Sequence, residues 1–298
     1  MSEEALHRGV LVRGFGGFYV AADDTGEEHI LRCKKKFRRM RISPLVGDEV
    51  LFIPGEGEEH GWLEEILPRR SECLRPPVAN VSLLLVVICP SPEPDLLLVD
   101  RLLVRARLQG MKTALVVNKC DLDESLAEEM RRAYAGADCP VIAVSAKARR
   151  GLEDVRQVMQ GESCCCLTGQ SGVGKSTLLN ALLGLELETG DISQKIQRGK
   201  NTTRHAELLI RDGIRVLDTA GFSLLELDAK MEPEALRECY PEFLPHEGCC
   251  RFAPCLHDRE PGCAVTAAVA EGKIDPGRVD RYRLLLADVR ETWKQRYN

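Results

Sequence analysis

Eight residues in the middle of the chain have the spacing of a phosphate-binding loop. The segment Gly169-Gln170-Ser171-Gly172-Val173-Gly174-Lys175-Ser176, followed by Thr177, fits the pattern GxxxxGK[ST]. Glycines at these positions let backbone N–H groups and a helix N-terminus face phosphate oxygens. Lys175 can reach the terminal phosphates, and the Ser176 hydroxyl suits Mg²⁺. Because the motif follows an apolar run and opens a helical pattern, it predicts a nucleotide site.

A second motif, earlier in the chain, selects the base of that nucleotide. Asn118-Lys119-Cys120-Asp121 follows directly after an apolar run that ends at Val117. A carboxylate at Asp121 can accept hydrogen bonds from the ring N–H and the exocyclic amine of guanine, and adenine lacks this pair of donors. Ser145-Ala146-Lys147, after a further apolar run, resembles the loop whose backbone contacts the base oxygen in GTPases. Together these segments predict GTP or GDP as the ligand.

Two further segments suit the γ-phosphate and Mg²⁺. Asp218-Thr219-Ala220-Gly221 matches the DxxG motif, in which Asp218 would hold Mg²⁺ through water and the Gly221 N–H would meet the γ-phosphate. The stretch from Gly199 to His205 occupies the place of the first switch, and Thr203 within it can complete the Mg²⁺ shell. The catalytic residues expected from this part of the chain are Lys175, Thr203 and Asp218.

The order of these motifs is the reverse of the usual GTPase chain, because the guanine motifs come first. Strands can keep their places in a sheet when their connections are rewired. The nucleotide domain is therefore predicted to be circularly permuted. The second switch, Asp218 to Phe222, then leads straight into the C-terminal region, so a change of nucleotide can move that region.

The elements that position these motifs follow from changes in the apolar pattern. Short β-rich runs between residues 8 and 67 predict a small barrel: Val10 to Val12, Phe18 to Ala21, His29 to Cys33, Glu49 to Ile53 and Gly61 to Ile66. Pro68 to Pro77 is typical of a linker. From Val81, apolar runs alternate with amphipathic stretches, which predicts a doubly wound α/β domain. The predicted domains are 1–70, 71–227 and 228–298.

The composition of the chain indicates in which compartment the protein is expected and whether a membrane is expected as a partner. The chain has 298 residues, a formal net charge of −5 and 13 cysteines, including the adjacent Cys164, Cys165 and Cys166. Many unpaired thiols are typical of a reducing compartment. The start lacks a signal-peptide pattern, and no apolar run approaches the roughly 20 residues of a membrane-spanning helix. A cytoplasmic protein without a membrane partner is expected.

With permuted motifs, a preceding barrel and a following cysteine cluster, the sequence resembles the bacterial small-subunit-dependent GTPases known as the RsgA or YjeQ family. The resemblance covers nearly the whole chain, and its specific marks are Leu74-Arg75-Pro76-Pro77-Val78-Ala79-Asn80-Val81, Gly169 to Asn180 and Gly199 to Leu208. It implies an OB-fold, a permuted GTPase domain and a mainly helical zinc domain that act in late maturation of the small ribosomal subunit. It also implies that GTP hydrolysis drives release from the subunit, and we expect a monomer.

The cysteine cluster near the C-terminus matches the zinc site of that family. Its spacing is Cys250-x4-Cys255-x-His257-x5-Cys263. Three thiolates and an imidazole suit one tetrahedral structural zinc ion and leave no open position for catalysis. Cys249 is adjacent to Cys250 and leaves the register ambiguous, although the family spacing favours Cys250.

A basic run in the barrel is a candidate for RNA contact. Seven of the ten residues from Arg32 to Arg41 are Lys or Arg, with Phe37 among them. On an OB-fold such a face can bind RNA through phosphate contacts and stacking. Charge runs are also common on solvated faces, and the resemblance favours contact with ribosomal RNA.

The residue that positions the attacking water is left open. Phe222 stands where GTPases commonly have a glutamine. The resemblance implies a histidine just before the paired threonines, but this chain departs from that pattern and has Asn201 there; His205 is the alternative. The leading hypothesis is a GTPase that is slow alone and accelerated by the small subunit. An RNA-binding module that holds GTP as a structural ligand, and a kinase, are the competing hypotheses.

Overall fold

The computed structural model of the chain describes residues 6–55, 57, 59–74, 77–185, 206–218 and 231–295, with the side chains of Leu74 and Asp218 outside that description. Contacts divide the chain into two compact units. The first comprises Met1–Leu83, Met159–Leu167 and Leu183–Phe222, and the second comprises Leu84–Val158, Thr168–Leu182 and Ser223–Asn298.

A closed five-stranded barrel belongs to the first unit. Its strands are β1 (His7–Phe15), β2 (Phe18–Asp23), β3 (Glu28–Cys33), β4 (Glu49–Ile53) and β5 (Gly61–Ile66). They lie in the order β1-β2-β3-β5-β4, and only β3 and β5 pair in parallel. A five-stranded barrel of this kind is an OB-fold, so the predicted barrel is confirmed and each of its five predicted runs is a strand.

Alternating side chains of these strands form the barrel core. The core residues that the strands contribute are Leu11, Ala21, Leu31, Val50, Phe52 and Leu63. Helix α1 (Lys35–Met40) adds Phe37 to the same cluster. Because successive strand residues point to opposite faces, the residues between the core positions point away from the barrel interior, and some of them, such as Val12 and Val20, are also buried.

The turn between β1 and β2 is made of two glycines. Gly16 and Gly17 have φ values of 55° and 85°, as a two-residue type I′ hairpin turn requires. Phe15 and Phe18 are therefore directly opposite each other, and their rings are stacked with centroids 6.2 Å apart. The turn fixes two aromatic side chains at one end of the barrel.

The stretch after β5 is structured, so the expectation of a plain linker is wrong. Residues Glu72–Leu74 (β6) and Pro77–Ala79 (β7) form a two-stranded antiparallel ribbon. Just before it, Arg69 donates through Nε and Nη2 to the carboxylate of Asp48, at 2.7 and 2.9 Å. Asp48 is fully buried, and a buried carboxylate needs such a partner. The ion pair holds this stretch against the end of the barrel.

The first unit also contains three strands of the α/β part. These are β11 (Cys165–Thr168, its first three residues), β12 (Glu207–Arg211) and β13 (Ile214–Asp218). Strand β13 lies between the other two, parallel to β11 and antiparallel to β12. Cys164, Cys165 and Cys166 are buried free thiols, as expected for residues of a buried strand.

The second unit contains the remaining strands of the α/β part with their helices. Its strands are β8 (Leu83–Ile88), β9 (Lys112–Val117) and β10 (Val141–Ala143), and its helices are α2 (Leu96–Leu108), α3 (Ser125–Ala133), α4 (Leu152–Met159) and α5 (Lys175–Leu183), although the end residues Leu83, Met159 and Leu183 belong to the first unit. The strand order is β10-β9-β8, with β9 and β10 parallel. Every residue of β8 is buried, which accounts for its unbroken apolar sequence.

Helices and a cysteine-rich loop form the C-terminal part of the second unit. The elements are α6 (Pro233–Glu238), a 3₁₀ helix (Pro241–His246), α7 (Ala264–Ala270) and α8 (Pro276–Lys294). Tyr240, Phe243 and Tyr282 meet in its core with ring centroids 5.0 to 5.1 Å apart. The mainly helical C-terminal region is thus confirmed. Among the helices that the structure describes, none is both long and apolar enough to span a bilayer.

A buried ionic network joins α2 to α8. Asp100 of α2 is fully buried and accepts hydrogen bonds from Arg278 Nη1 at 2.5 Å, Arg281 Nε at 2.6 Å and the Tyr134 hydroxyl at 2.8 Å. Arg278 also donates to Glu242 Oε1 at 2.7 Å. Two guanidinium groups therefore balance two carboxylates in the interior, and each buried charge has an opposite partner.

Candidate nucleotide and metal sites

The phosphate loop connects β11 to α5, as its motif requires. Gly169, Gly172 and Gly174 all have positive φ, at 138°, 82° and 91°. A side chain at Gly169 would place Cβ 2.1 Å from the carbonyl oxygen of Val87, and one at Gly174 would place it 2.5 Å from Nδ2 of Asn118. Two of the three glycines are therefore required by close neighbours as well as by backbone conformation.

Lys175 is turned back onto the loop that it follows. Its Nζ donates to the carbonyl oxygens of Gly169 and Gln170, at 2.8 and 2.7 Å. Burial lowers the pKa of this ammonium group from its ordinary value. The cation is therefore held within the phosphate loop. Next to it along α5, Ser176 is exposed and Thr177 is half-buried.

Gln170 ties the phosphate loop to the start of α2. Its Oε1 accepts the backbone N–H of Asp95 at 2.8 Å, and its Nε2 donates to the carbonyl of Glu93 at 3.1 Å. Asp95 is the N-cap of α2 and accepts the N–H of Leu98 at 2.9 Å. A side chain in the motif's variable positions thus anchors the loop, whereas Ser171 next to it is exposed.

Side chains of the guanine motif donate hydrogen bonds to the backbone of the phosphate loop. Asn118, which is 2% exposed, donates through Nδ2 to the carbonyl of Val173 at 2.9 Å and accepts the N–H of Ala146 at 3.1 Å. Lys119 Nζ donates to the carbonyls of Gly172 and Ser91, at 2.8 and 2.7 Å. The structure therefore brings the first guanine motif, the second guanine motif and the phosphate loop together.

Asp121 and the second guanine loop form the remaining side of this site. A hydrogen bond from the Ser145 hydroxyl is the largest cause that lowers the pKa of the Asp121 carboxyl; Arg150 and Lys147 contribute smaller electrostatic effects. Ser145 and Arg150 also exchange two backbone hydrogen bonds of 3.0 Å, which close the loop. The exposed Asp121 is thus an ionised acceptor, as recognition of guanine requires.

Several predicted residues around the γ-phosphate fall outside the described parts of the chain. Asn201, Thr203, His205 and Gly221 all lie there. Asp218 is the last residue of β13, and only its backbone is described. It lies at the carboxyl end of the strand, and ligands of α/β sheets commonly bind beyond such ends.

Three cysteines and a histidine converge in the C-terminal part. The ligand atoms of Cys250, Cys255, His257 and Cys263 all lie within 4.8 Å of one another. His257 Nδ1 is 3.7 Å from the Cys250 sulfur and 3.5 Å from that of Cys263. In tetrahedral zinc with Zn–N bonds of about 2.0 Å and Zn–S bonds of about 2.3 Å, the nitrogen and sulfur ligands lie about 3.5 Å apart. The cluster is therefore compatible with zinc, and the exposed Cys249 is not part of it.

Backbone groups around the cluster hold its loop in shape. Cys263 is the N-cap of α7, and the N–H of Ala264 points to the Cys250 sulfur at 3.3 Å. Glu260 accepts the N–H groups of Leu256 and Asp258, at 2.9 and 2.8 Å. N–H groups and a helix N-terminus favour thiolates, which are the form that binds metal.

The basic run differs from expectation in one respect. Phe37 is buried in the barrel core and cannot stack on a base, because α1 turns its ring inward. Lys34 forms an ion pair with Glu64. The exposed aromatic groups lie instead on the strands, where Trp62 is 43% exposed. Sequence reasoning missed Trp62, although an aromatic residue in an otherwise alternating strand was a usable signal.

Comparison with known proteins agrees with this architecture. The RsgA N-terminal domain model matches residues 8–63, and the RsgA GTPase model matches residues 66–228. The small ribosomal subunit biogenesis GTPase RsgA of Ruminiclostridium cellulolyticum is 42% identical over 283 residues, which are 93% of this chain and 92% of that relative. Its counterpart in Agathobacter rectalis is 38% identical over 301 residues, or 96% and 99% of the two chains.

Solved structures extend the likeness to the whole fold. The crystal structure of YjeQ from Thermotoga maritima superposes with a TM-score of 0.82 at 33% identity, covering 96% of this chain and 99% of that one. YloQ, described as a circularly permuted GTPase, has a TM-score of 0.81 at 28% identity, with 98% of each chain covered. The permuted motif order of the present sequence therefore occurs in a fold that is similar to a solved circularly permuted GTPase.

Proposed function

The chain belongs to the RsgA GTPase family and is a GTP-hydrolysing enzyme of small ribosomal subunit biogenesis, and we propose that hydrolysis drives its release from that subunit. The observation that carries the assignment is the position of Asn118. The Asn118 amide contacts both the phosphate loop and the second guanine loop. It therefore fixes the loop for the phosphates relative to the loop for the base of one guanine nucleotide. An incidental glycine-rich turn would not have these contacts.

The roles of the individual residues follow from their chemistry. We propose that Asp121 accepts from the guanine ring, while Asn118 and Lys119 hold the loops and Ser145 to Lys147 line the base. Backbone N–H groups of Gly169 to Ser176, with Lys175, would bind the phosphates. Mg²⁺ would be held by Ser176 and Thr203, with Asp218 acting through water, and it neutralises charge on the phosphate oxygens.

We propose that a residue of the first switch positions the attacking water. Phe222 offers no hydrogen bond, so another group must orient the attacking water, and Asn201 is the proposed one, with His205 as the alternative. An asparagine can orient water without acting as a base near neutral pH. Because phosphoryl transfer depends mainly on positioning and charge stabilisation, a residue that cannot act as a base can still support it. We expect turnover that is slow without the subunit and increases with it. The comparison of Asn201→Ala with His205→Ala under subunit stimulation identifies the residue.

The remaining parts have supporting roles. We propose that residues 1–70 contact ribosomal RNA, that 71–227 bind GTP, and that 228–298 hold one zinc ion through Cys250, Cys255, His257 and Cys263. Zinc would cross-link the loop that carries these four ligands. We propose that the protein acts as a monomer in the cytoplasm, where ribosomal subunits mature.

Phosphate release titrated with purified small subunits tests the proposal. We expect slow release alone and an increase of about tenfold or more with subunits, equivalent to about 1.4 kcal/mol of barrier. Lys175→Ala is the control, because it removes the phosphate contact and should abolish both rates. An unchanged rate with subunits would refute a subunit-stimulated enzyme and favour GTP as a structural ligand.

A further inference from the structure

An open pocket of about 600 Å³ lies on the outer surface of the barrel. Its lining includes Gly16, Gly17, Phe18, Arg32, Lys35 and Trp62. Phe18 is the register partner of Arg32 across β2 and β3, and Arg32 is the partner of Trp62 across β3 and β5. The three side chains therefore stand in one row across three adjacent strands.

This row has the composition of a stacking platform. The Arg32 guanidinium lies over the Phe18 ring at 5.3 Å, and the Trp62 indole is exposed beside it. The rings of Phe15 and His60 pack against Phe18, with centroids 6.2 and 4.9 Å away, and fix its position. Unstacked bases lie on aromatic and guanidinium planes. Such stacking accepts any base, because every base has a flat π-face.

Charge and access favour a nucleotide as the occupant. Lys35 at the rim has no acidic partner among the residues that the structure describes, so its ammonium is available to a phosphate. Gly16 and Gly17 leave open space at the mouth, since an added Cβ at either would meet nothing within 4 Å. On an OB-fold, strands 2 and 3 with the first loop form the usual binding face, and this pocket occupies that place.

We propose that this pocket binds one unpaired RNA base, stacked on the row Phe18–Arg32–Trp62, with an adjoining phosphate at Lys35. The proposal rests on the RNA contact proposed above and specifies its chemistry: single-stranded nucleotides rather than duplex. Base pairing hides the faces of bases within a duplex, so only an unpaired nucleotide can enter.

Intrinsic fluorescence gives a direct test, because the chain has only two tryptophans. In a Trp293→Phe background Trp62 is the sole indole, and a single-stranded RNA of about ten nucleotides should quench it. The same sequence as a duplex should not. An acidic peptide of equal charge serves as the alternative occupant. Equal quenching by duplex or by peptide would overturn stacking.

Affinities of labelled RNA, measured by anisotropy, complete the test. Trp62→Leu should weaken single-strand binding about tenfold, the order expected for one stacked base, whereas Trp62→Phe should retain most of it. Lys35→Gln should lower the salt slope by about one unit, and Trp62→Leu should leave the slope unchanged. Thermal unfolding checks that each variant is folded.

Phe252→Leu is the matched control, because Phe252 is an exposed ring with Arg251 above it at 5.4 Å, outside the barrel. Equal affinities of Trp62→Leu and Phe252→Leu for single-stranded RNA would refute the pocket. If small subunits still stimulate GTP hydrolysis in that case, the proposed function stands and only the stacking site fails.

Discussion

Replacing Asp100 by asparagine removes one negative charge from the buried network between α2 and α8. The side chain keeps its shape and can still accept a hydrogen bond. However, Arg278 then keeps only the carboxylate of Glu242 as an acidic partner, and Arg281 loses the carboxylate that it contacts. The interior changes from neutral to one net positive charge.

The cost follows from the burial of the partners. The Asp100 side chain is 0% exposed, Arg278 is 3% and Arg281 is 14% exposed. Removal of one partner from a buried ion pair typically costs about 3–5 kcal/mol. Since Glu242 still pairs with Arg278 and Arg281 can turn towards water, we expect the lower end, about 3 kcal/mol. At an m-value of about 2 kcal/mol/M in urea, the midpoint would fall by about 1.5 M.

Trp293 provides the signal, because it lies on α8, the helix that carries both arginines. Urea unfolding is followed by its fluorescence in a Trp62→Phe background. Asp288→Asn is the control: it too removes a carboxylate from an arginine, but Arg101 and Asp288 are 33% and 57% exposed. An exposed pair contributes at most about 1 kcal/mol. Equal midpoints for the two variants would refute the assigned role of the network.

Three further outcomes are expected. Asp121→Asn should weaken GTP binding and shift preference towards xanthosine triphosphate, because the amide donates where xanthine has an oxygen; an unchanged affinity ratio would contradict the motif assignment. Cys255→Ser should abolish the zinc found by elemental analysis while Cys249→Ser retains it, and equal zinc contents would remove the proposed ligand set. Gly174→Ala should lower GTP affinity about tenfold or more, since its Cβ would collide with the guanine motif, whereas Gly184→Ala, also at positive φ but in open space, should not; nucleotide titration of both decides.

Local patterns were sufficient for the elements of the fold. The barrel strands and β8 follow from alternating and continuous apolar runs, and the helices between the strands of the α/β part follow from amphipathic stretches. The Cys/His pattern also indicated the residues that converge, with the family resemblance favouring Cys250 over Cys249. Each of these features depends on residues close together in the sequence, which a pattern can capture.

Features that depend on distant partners were not predicted. The bonds from Lys119 to Gly172 and Ser91 join residues 53 and 28 positions away. Phe37 was placed among RNA-facing groups because its basic neighbours conceal that α1 has one buried side. Asp100 offered a signal that was not used: a carboxylate within an otherwise apolar helix face needs a buried partner.

The bond between Asn118 and the phosphate loop sets an order for folding during synthesis. Asn118 is translated 55 residues before Val173, the carbonyl to which its amide donates. The guanine-binding half is therefore made while the Asn118 Nδ2 donor still lacks its acceptor, although Ala146 can already donate to Oδ1. A buried donor without a partner costs about 1–3 kcal/mol. This half cannot reach its final packing until the phosphate loop has been made, so a nascent chain that stops before that loop is incomplete as a base-binding module too.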